Sequence, residues 1–315
     1  MRVLVTGARG FVGRSLIPQL VKRGFEVIAV VRKVDPHLKY VGEVTLKAVG
    51  DFTSLDDWGA LVRGADAVVH LSARVHVMND DSINSYRIAN VEVTKKLAAA
   101  AAAAGCRRFL FASSIKVNGE RSARPFAADD DPNPQGAYGI SKLEAEQALR
   151  VVAERSDMQV TVIRIPLVYG PEVGGNFLRI ANLVLHGVWL PFGAIRNRRS
   201  LIGVGNLCDF ICHDLATQPT VNVPALISDS QDISTPDLIR YIAAALQVRP
   251  RLFDVPVSAL RLVGAALGLR AEISRLCDSL YIDPIPTMEK WNWRPPFSVM
   301  DSLDSMAQKL RNRDG

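Results

Sequence analysis

Tyr138-Gly139-Ile140-Ser141-Lys142 places a phenol and an ammonium four residues apart. On a helix, residues i and i+4 share a face. A lysine beside a tyrosine favours the phenolate, so a phenol with a free pKa of about 10 can exchange a proton near neutrality. That is acid–base chemistry for a carbonyl or a hydroxyl. The same spacing arises by chance on amphipathic helices, so it needs a third group and a redox partner. Ser113 and Ser114 end an apolar run that starts at Phe109, 25 and 24 residues before Tyr138. In a parallel sheet the C-terminal strand ends line the ligand crevice, so Ser114 can converge with Tyr138 on one carbonyl. Two serines at a strand end are also common caps.

The elements that must position these groups begin at the first residues. Val3-Leu4-Val5-Thr6 reads as a strand, and Gly7-Ala8-Arg9-Gly10-Phe11-Val12-Gly13 turns into a helix running to about Lys22. Strand, glycine turn and helix make a phosphate cradle, with the pyrophosphate of a dinucleotide at the positive helix N-terminus. The Gly-x-x-Gly-x-x-Gly spacing is one residue wider at its start than the commonest fingerprint. Pro18 falls inside the helix, where it should kink it or remove a hydrogen bond. Gly24 to Val31 reads as a second strand. Its tip, where dinucleotide folds place an acid for the ribose, carries Arg32 and Lys33. Two cations in place of a carboxylate suit a ribose 2′-phosphate, with Arg9 reaching it from the other side, so NADP(H) is expected ahead of NAD(H). The alternative is that Arg32 and Lys33 are solvated and Asp35 contacts the ribose.

Asp51-Phe52 can meet the adenine, or Asp51 can simply cap a helix. Ala67 to Ala73 is a buried strand whose end, Leu71-Ser72-Ala73, is small enough to run under a cofactor. His70 within it reads as a hydrogen-bonded core histidine, since no metal-spaced cluster accompanies it. Asn90 opens a helix carrying the alanines 98–104, which pack close to the sheet. Thr161 to Pro166 is another strand, left through Leu167-Val168-Tyr169-Gly170-Pro171 by turn chemistry. The fold class is therefore α/β, a doubly wound parallel sheet of the Rossmann type over residues 1–170. Beyond residue 171 the alternation fades into a smaller, partly interleaved substrate domain, 171–315. It contains Asn176, Pro191, the cluster Arg196 to Arg199, and Arg275. Arginines facing a cleft suit a diphosphate, because guanidinium matches phosphate oxygens in bidentate fashion. A solvated surface role is the alternative for each.

The composition sets the outer bounds. With 48% hydrophobic and 22% charged residues, the 315-residue chain is that of a globular protein. Its four cysteines form no Cys-x-x-Cys pair and fit buried thiols in a reducing cytoplasm. Met1-Arg2 leads straight into an apolar strand rather than a signal peptide. The net charge of +6 comes from scattered cations, which favours anionic small molecules over nucleic acid. Val255 to Leu269 is the most apolar later stretch and is too short to span a bilayer. A packed helix is the expectation there, with a membrane-surface contact as the alternative.

Taken in one order, Thr6 to Gly13, Asp51-Phe52, Ser113-Ser114-Ile115-Lys116-Val117 and Tyr138-x-x-x-Lys142 resemble the extended short-chain dehydrogenase/reductases. The chain looks most like their UDP-sugar 4-epimerase branch. Ala73 to Met78, Ser113 to Glu120 and Trp291 to Phe297 resemble bacterial surface-polysaccharide members that reduce UDP-4-keto-6-deoxy-N-acetylhexosamines. The resemblance implies Ser114, Tyr138 and Lys142 as catalytic residues, with Lys142 also holding the nicotinamide ribose. It implies Asn176, Arg199 and Arg275 at the UDP diphosphate. The expected cofactor contacts are Gly7, Arg9, Gly10, Phe11, Val12, Gly13, Arg32, Lys33, Asp51, Phe52, Leu71, Ser72, Ala73, Asn90, Tyr138, Lys142, Pro166 and Val168; Pro191 joins the substrate side, and no metal is expected. Sugar 4,6-dehydratases of the family carry an acidic pair where this chain has Ile115 and Lys116, so dehydration is disfavoured. The implied activity is a cytoplasmic, homodimeric NAD(P)H-dependent 4-reductase. A 4-epimerase with retained NAD is the alternative, and a cofactor-binding scaffold without turnover the minor one.

Overall fold

A computed structural model describes residues 1–33, 42–75, 82–217, 219 and 223–314. Asp35 and the segment 76–78 lie outside the described residues. Short β-branched runs form the strands β1 (Arg2–Thr6), β2 (Glu26–Val31), β3 (Val44–Ala48), β4 (Ala67–His70), β5 (Arg108–Ser114), β6 (Gln159–Ile165), β7 (Leu167–Tyr169), β8 (Leu201–Gly203) and β9 (Ala225–Leu226). The helices are α1 (Phe11–Lys22), α2 (Trp58–Val62), α3 (Ile83–Tyr86), α4 (Val93–Ala103), α5 (Ala137–Ala153), α6 (Gly175–Leu185), α7 (Val204–Thr217), α8 (Thr235–Leu246), α9 (Val257–Ala266), α10 (Arg270–Cys277), α11 (Ile285–Trp291) and α12 (Val299–Asp314).

Seven strands make one sheet in the order β3-β2-β1-β4-β5-β6-β9, every neighbouring pair parallel. The order reverses between β1 and β4, and the crevice beyond the C-terminal strand ends at that reversal is where such sheets bind ligands. Side chains alternate across the sheet. Val3 and Val5 of β1 face a core built with Leu16, Ile17 and Leu20 of α1 and Leu207, Phe210 and Ile211 of α7. Leu4 faces the other, with Leu61, Leu97, Ala98, Ala101 and Leu149 of α2, α4 and α5. Both faces are covered, which is why the strands read as continuous apolar runs. The alanine run works as expected: Ala98 and Ala101 are fully buried and bring α4 close.

A third core joins Tyr169, Phe177 and Ala181 to residues of α8 and α12, such as Ile239, Ile242 and Leu303. The second half is interwoven with the first, because β9 extends the large sheet and α7 packs on it. Arg108 and Asp214, buried at 2% and 0% exposure, bridge β5 to α7, and Trp291 Nε1 donates to Asp214 at 2.7 Å.

Some local readings need correcting. Leu167–Tyr169 is a strand, because Leu201–Gly203, more than thirty residues on, pairs with it in parallel. Asn90 does not open a helix. Helical structure begins at Ile83, and Asn90 sits within a π-helical turn, Arg87–Glu92, that runs into α4. The helix α1 continues through Pro18, which lies on its exposed side, where water can satisfy the carbonyl left without a donor. The helix at Val257–Ala266 packs on α10 through Leu260 and Gly264, the two residues it buries, and leaves its other apolar side chains partly or fully exposed.

Candidate active site

The glycine turn is shaped by close backbone approaches. Gly7 has φ +69°, and a Cβ there would lie 3.0 Å from the backbone of Leu71 and Ser72. At Gly13 a Cβ would lie 2.3 Å from the Gly7 carbonyl oxygen. Gly10 N–H donates to that same oxygen at 2.8 Å. The first N–H groups of α1, at Phe11, Val12 and Gly13, have no helical acceptor by geometry and point out of the turn. Thr6 Oγ1 accepts from Ser72 N at 3.2 Å and pairs with His70 Nδ1 at 2.7 Å, while His70 Nε2 meets Thr94 Oγ1 at 2.9 Å. His70 is thus a structural histidine, held down to about 3 by burial and then by the charge of Lys142.

Arg32 and Lys33 are exposed just beyond β2. Asp51 accepts from Thr53 N at 2.9 Å and caps the short turn Phe52–Ser54. Those Thr53 bonds hold its carboxyl below the usual range, with Arg32 helping. Its cap role is therefore the one observed. Phe52 is buried with its ring centroid 6.0 Å from that of Trp58.

The expected catalytic groups meet. The strand β5 ends at Ser114, and Tyr138 and Lys142 share one face of α5. Gly139 lets them approach: a Cβ there would lie 2.8 Å from the carbonyl oxygen of Lys116, in the turn after Ser114. Ser114 Oγ accepts from Lys116 N at 3.3 Å and lies near enough to the Tyr138 hydroxyl to lower its pKa. Lys142 is 2% exposed, and its Nζ donates to the Ala112 carbonyl at 2.7 Å. The ammonium lies 4.5 Å from the Phe111 ring centroid and 5.9 Å from that of Tyr138.

The electrostatics correct the expectation of a lowered phenol. Burial pushes Tyr138 up to about 12, against the nearby Ser114 hydroxyl, which lowers it. Burial likewise holds Lys142 down to about 7, with Glu146 opposing. Desolvation is the largest cause at both groups, because burial strips water from each charged form. Tyr138 is consequently a protonated donor in this state.

Two residues of the site were missed from the sequence. Glu146, one turn beyond Lys142, accepts from Ser113 Oγ and takes a bidentate hydrogen bond from Arg164, with NH2 to Oε2 at 2.8 Å. Arg164 also donates to Asn118 Oδ1 at 3.1 Å. The i, i+4 step from Lys142 to Glu146 was the available signal. Asn90 was expected at the cofactor, and its amide is engaged with protein. Its Oδ1 accepts from Arg74 N at 2.8 Å, and its Nδ2 donates to Arg74 O and Ser141 Oγ, both at 3.0 Å. Ser141 Oγ in turn donates to Tyr138 O at 2.9 Å. Asn90 thereby ties the chain beyond Ala73 to α5.

On the substrate side, Arg199 NH1 donates to the carbonyls of Arg275 (2.8 Å) and Asp278 (3.2 Å). Burial lowers the Arg199 guanidinium; Asp278 and Glu120 oppose that, and the Arg275 charge adds to it. Arg199 and Arg275 are therefore brought together. Arg198 is instead spent on Asp232 and on the Tyr281 ring, 4.5 Å below it. Asn176 stands exposed in the first turn of α6, and Pro191 is half-buried. Pro166 is buried at the end of β6, next to Val168 of β7.

A glycine cradle at a sheet reversal and a Ser-Tyr-Lys cluster beside it are the arrangement of nicotinamide-dependent hydride transfer. Residues 3–223 match the NAD dependent epimerase/dehydratase family. The chain belongs to that family. This epimerase/dehydratase chain is 37% identical to a UDP-glucose 4-epimerase of Vibrio cholerae over 97% of its own length and 94% of the relative's. It is 33% identical to a 2-alkyl-3-oxoalkanoate reductase of Stenotrophomonas maltophilia, covering 96% and 97%. Its fold matches that of MoeE5 in complex with UDP-glucose and NAD, at a TM-score of 0.82, 23% identity and full coverage of both chains. The chain is an enzyme of the extended short-chain dehydrogenase/reductase type on a Rossmann fold. The glycine turn fits a dinucleotide, since at Gly7 and Gly13 a Cβ would run into backbone and keep a pyrophosphate from approaching as closely.

Proposed function

We infer that this enzyme reduces the C4 keto group of a UDP-linked 4-keto-6-deoxy-N-acetylhexosamine, a step toward surface-polysaccharide sugars. The convergence of Ser114, Tyr138 and Lys142 at the end of β5 carries the reading. A nicotinamide held at the glycine turn would supply the hydride to C4. Ser114 polarises the carbonyl oxygen, and Tyr138, protonated at neutral pH, gives it a proton. Lys142 limits the cost of the phenolate left behind; its charge lies on the Tyr138 ring side, at a separation where low-dielectric surroundings strengthen attraction.

Several features support the finer points. Gly7, Gly10 and the first turn of α1 would hold the pyrophosphate, and the exposed Arg32 and Lys33 suit a 2′-phosphate, so NADPH is the expected reductant. Arg199 and Arg275, adjacent in the lobe formed from residues 171–315, would hold the UDP diphosphate. Ile115 and Lys116 follow the catalytic hydroxyl where water elimination would need acids. The reading places the enzyme in the cytoplasm as a homodimer.

A second reading is a 4-epimerase with retained NAD, favoured by the identity to the Vibrio cholerae UDP-glucose 4-epimerase. The same three residues would run the hydride both ways. The deciding experiment measures nicotinamide in the purified protein and then offers a UDP-sugar panel, including 4-keto-6-deoxy forms, with NADPH and NADH separately. An exchangeable site and NADPH consumption on the keto sugars support the reductase. Tightly held NAD and interconversion of UDP-hexoses at C4 without added cofactor would replace it with the epimerase.

A further inference from the structure

The helix α9 and its connection to α10 turn an apolar surface outward. On its inner side Leu260 is 7% exposed, and a Cβ at Gly264 would lie 2.5 Å from Ile273 Cγ1, so α9 and α10 pack tightly there. On its outer side Leu262 is 74% exposed, Val263 56%, Leu267 65% and Leu269 44%. Lone exposed aliphatics need no explanation, but four within eight residues do. Arg261 and Arg270 bracket this stretch. Arg261 is held by Asp278 at 2.7 Å, and Arg270 is exposed. The segment leading into the helix adds exposed Arg249 and Arg251, and exposed Phe253, which meets the exposed Trp189 edge-on with centroids 6.4 Å apart. Arg251 lies 6.0 Å from the Trp189 ring centroid. Residues 249–272 thus carry four arginines against two acids, Asp254 and Glu272, with Arg261 paired to Asp278.

We propose that the outer face of α9 and the α9–α10 turn seat this enzyme on an anionic bilayer surface. Aliphatic side chains, an amphipathic tryptophan and flanking arginines match the layered boundary between acyl chains and anionic headgroups. The helix has ten residues, about 15 Å at the usual rise, so it lies in the surface plane and does not cross it; among the described residues no helix is long and apolar enough to do so. An isologous pairing of this face would set its arginines against those of a second copy, whereas anionic headgroups answer them. Arg275 lies on α10 itself, so the seat places the lobe proposed to hold the diphosphate beside the membrane.

The test is co-sedimentation of the full-length protein with phosphatidylcholine vesicles, with or without about one-half phosphatidylglycerol, at low and high salt. The protein should partition onto the anionic vesicles at least about fivefold better than onto neutral ones, and less so in about 0.5 M salt. Leu262→Glu with Leu267→Glu should lower that partition about tenfold or more while turnover on a soluble sugar nucleotide stays unchanged. Since the double variant could misfold, brominated lipid in the anionic vesicles provides a second readout on otherwise native protein: it should quench tryptophan fluorescence, and Trp189→Phe should remove that quenching. Equal partition onto both vesicle types, undiminished binding of the double variant, or sedimentation velocity showing that the substitutions instead dissociate a dimer would overturn the proposal.

Discussion

Glu146→Gln replaces one carboxylate oxygen by an amide nitrogen on α5, one turn beyond Lys142, and its effect follows from what surrounds it. Arg164 is 5% exposed at its side chain, Glu146 8%, and they form a bidentate pair to which Ser113 and Asn118 add hydrogen bonds. Glutamine preserves the volume and one acceptor but leaves the guanidinium in low dielectric with only neutral partners and a mismatched NH2. Breaking a buried pair from one side costs on the order of 3–5 kcal/mol. Urea unfolding of wild type and variant should show that loss as a lower midpoint at unchanged slope. A second consequence reaches the chemistry. Glu146 opposes the desolvation that holds Lys142 to about 7, so removing its charge lowers that value further. Less of Lys142 is then charged at neutral pH, and the basic limb of the kcat profile should move to lower pH. A stability loss under about 1 kcal/mol, or a basic limb that does not move, would refute the assignment of Glu146 as the counter-charge of the site.

Tyr138→Phe should cut turnover by about 10²–10⁴-fold with cofactor affinity within a few-fold, since it deletes one proton donor and little contact area; steady-state rates with fluorescence titration of NADPH check it. Gly13→Ala puts a Cβ 2.3 Å from the Gly7 oxygen, so isothermal titration should show at least about tenfold weaker cofactor binding together with a stability loss of about 1–3 kcal/mol. Arg32→Ala should weaken NADPH by at least about tenfold and leave NADH little changed, and equal effects on both would remove the 2′-phosphate reading. His70 has a folded value of about 3 against about 6.5 when unfolded, so between those limits the unfolded chain binds the extra proton. Stability should therefore fall as pH drops from about 6.5 towards 3, by up to about 4–5 kcal/mol, and chemical denaturation across that range should show a shallower decline for His70→Gln.

The parts of this protein that could be read from the chain are those set by short-range rules. The glycine turn after β1, the i, i+4 pair Tyr138 and Lys142, and the serines closing β5 each depend on a few consecutive residues, and parallel-sheet topology alone brings their strand ends together. Local patterning could not show that Leu167–Tyr169 is a strand, because its partner is Leu201–Gly203. Nor could it show that Glu146 faces Ser113 and Arg164, 33 and 18 residues away, or that Asn90 turns its amide onto Arg74 and Ser141 from a π-helical turn. Composition marked Val255 to Leu269 as apolar, and only packing decided that Leu262 and Leu267 point away from the core. The phenol makes the same division. Sequence spacing places a lysine one turn from Tyr138, but the pKa depends on how much water each group loses, and burial is a property of the whole fold rather than of any segment.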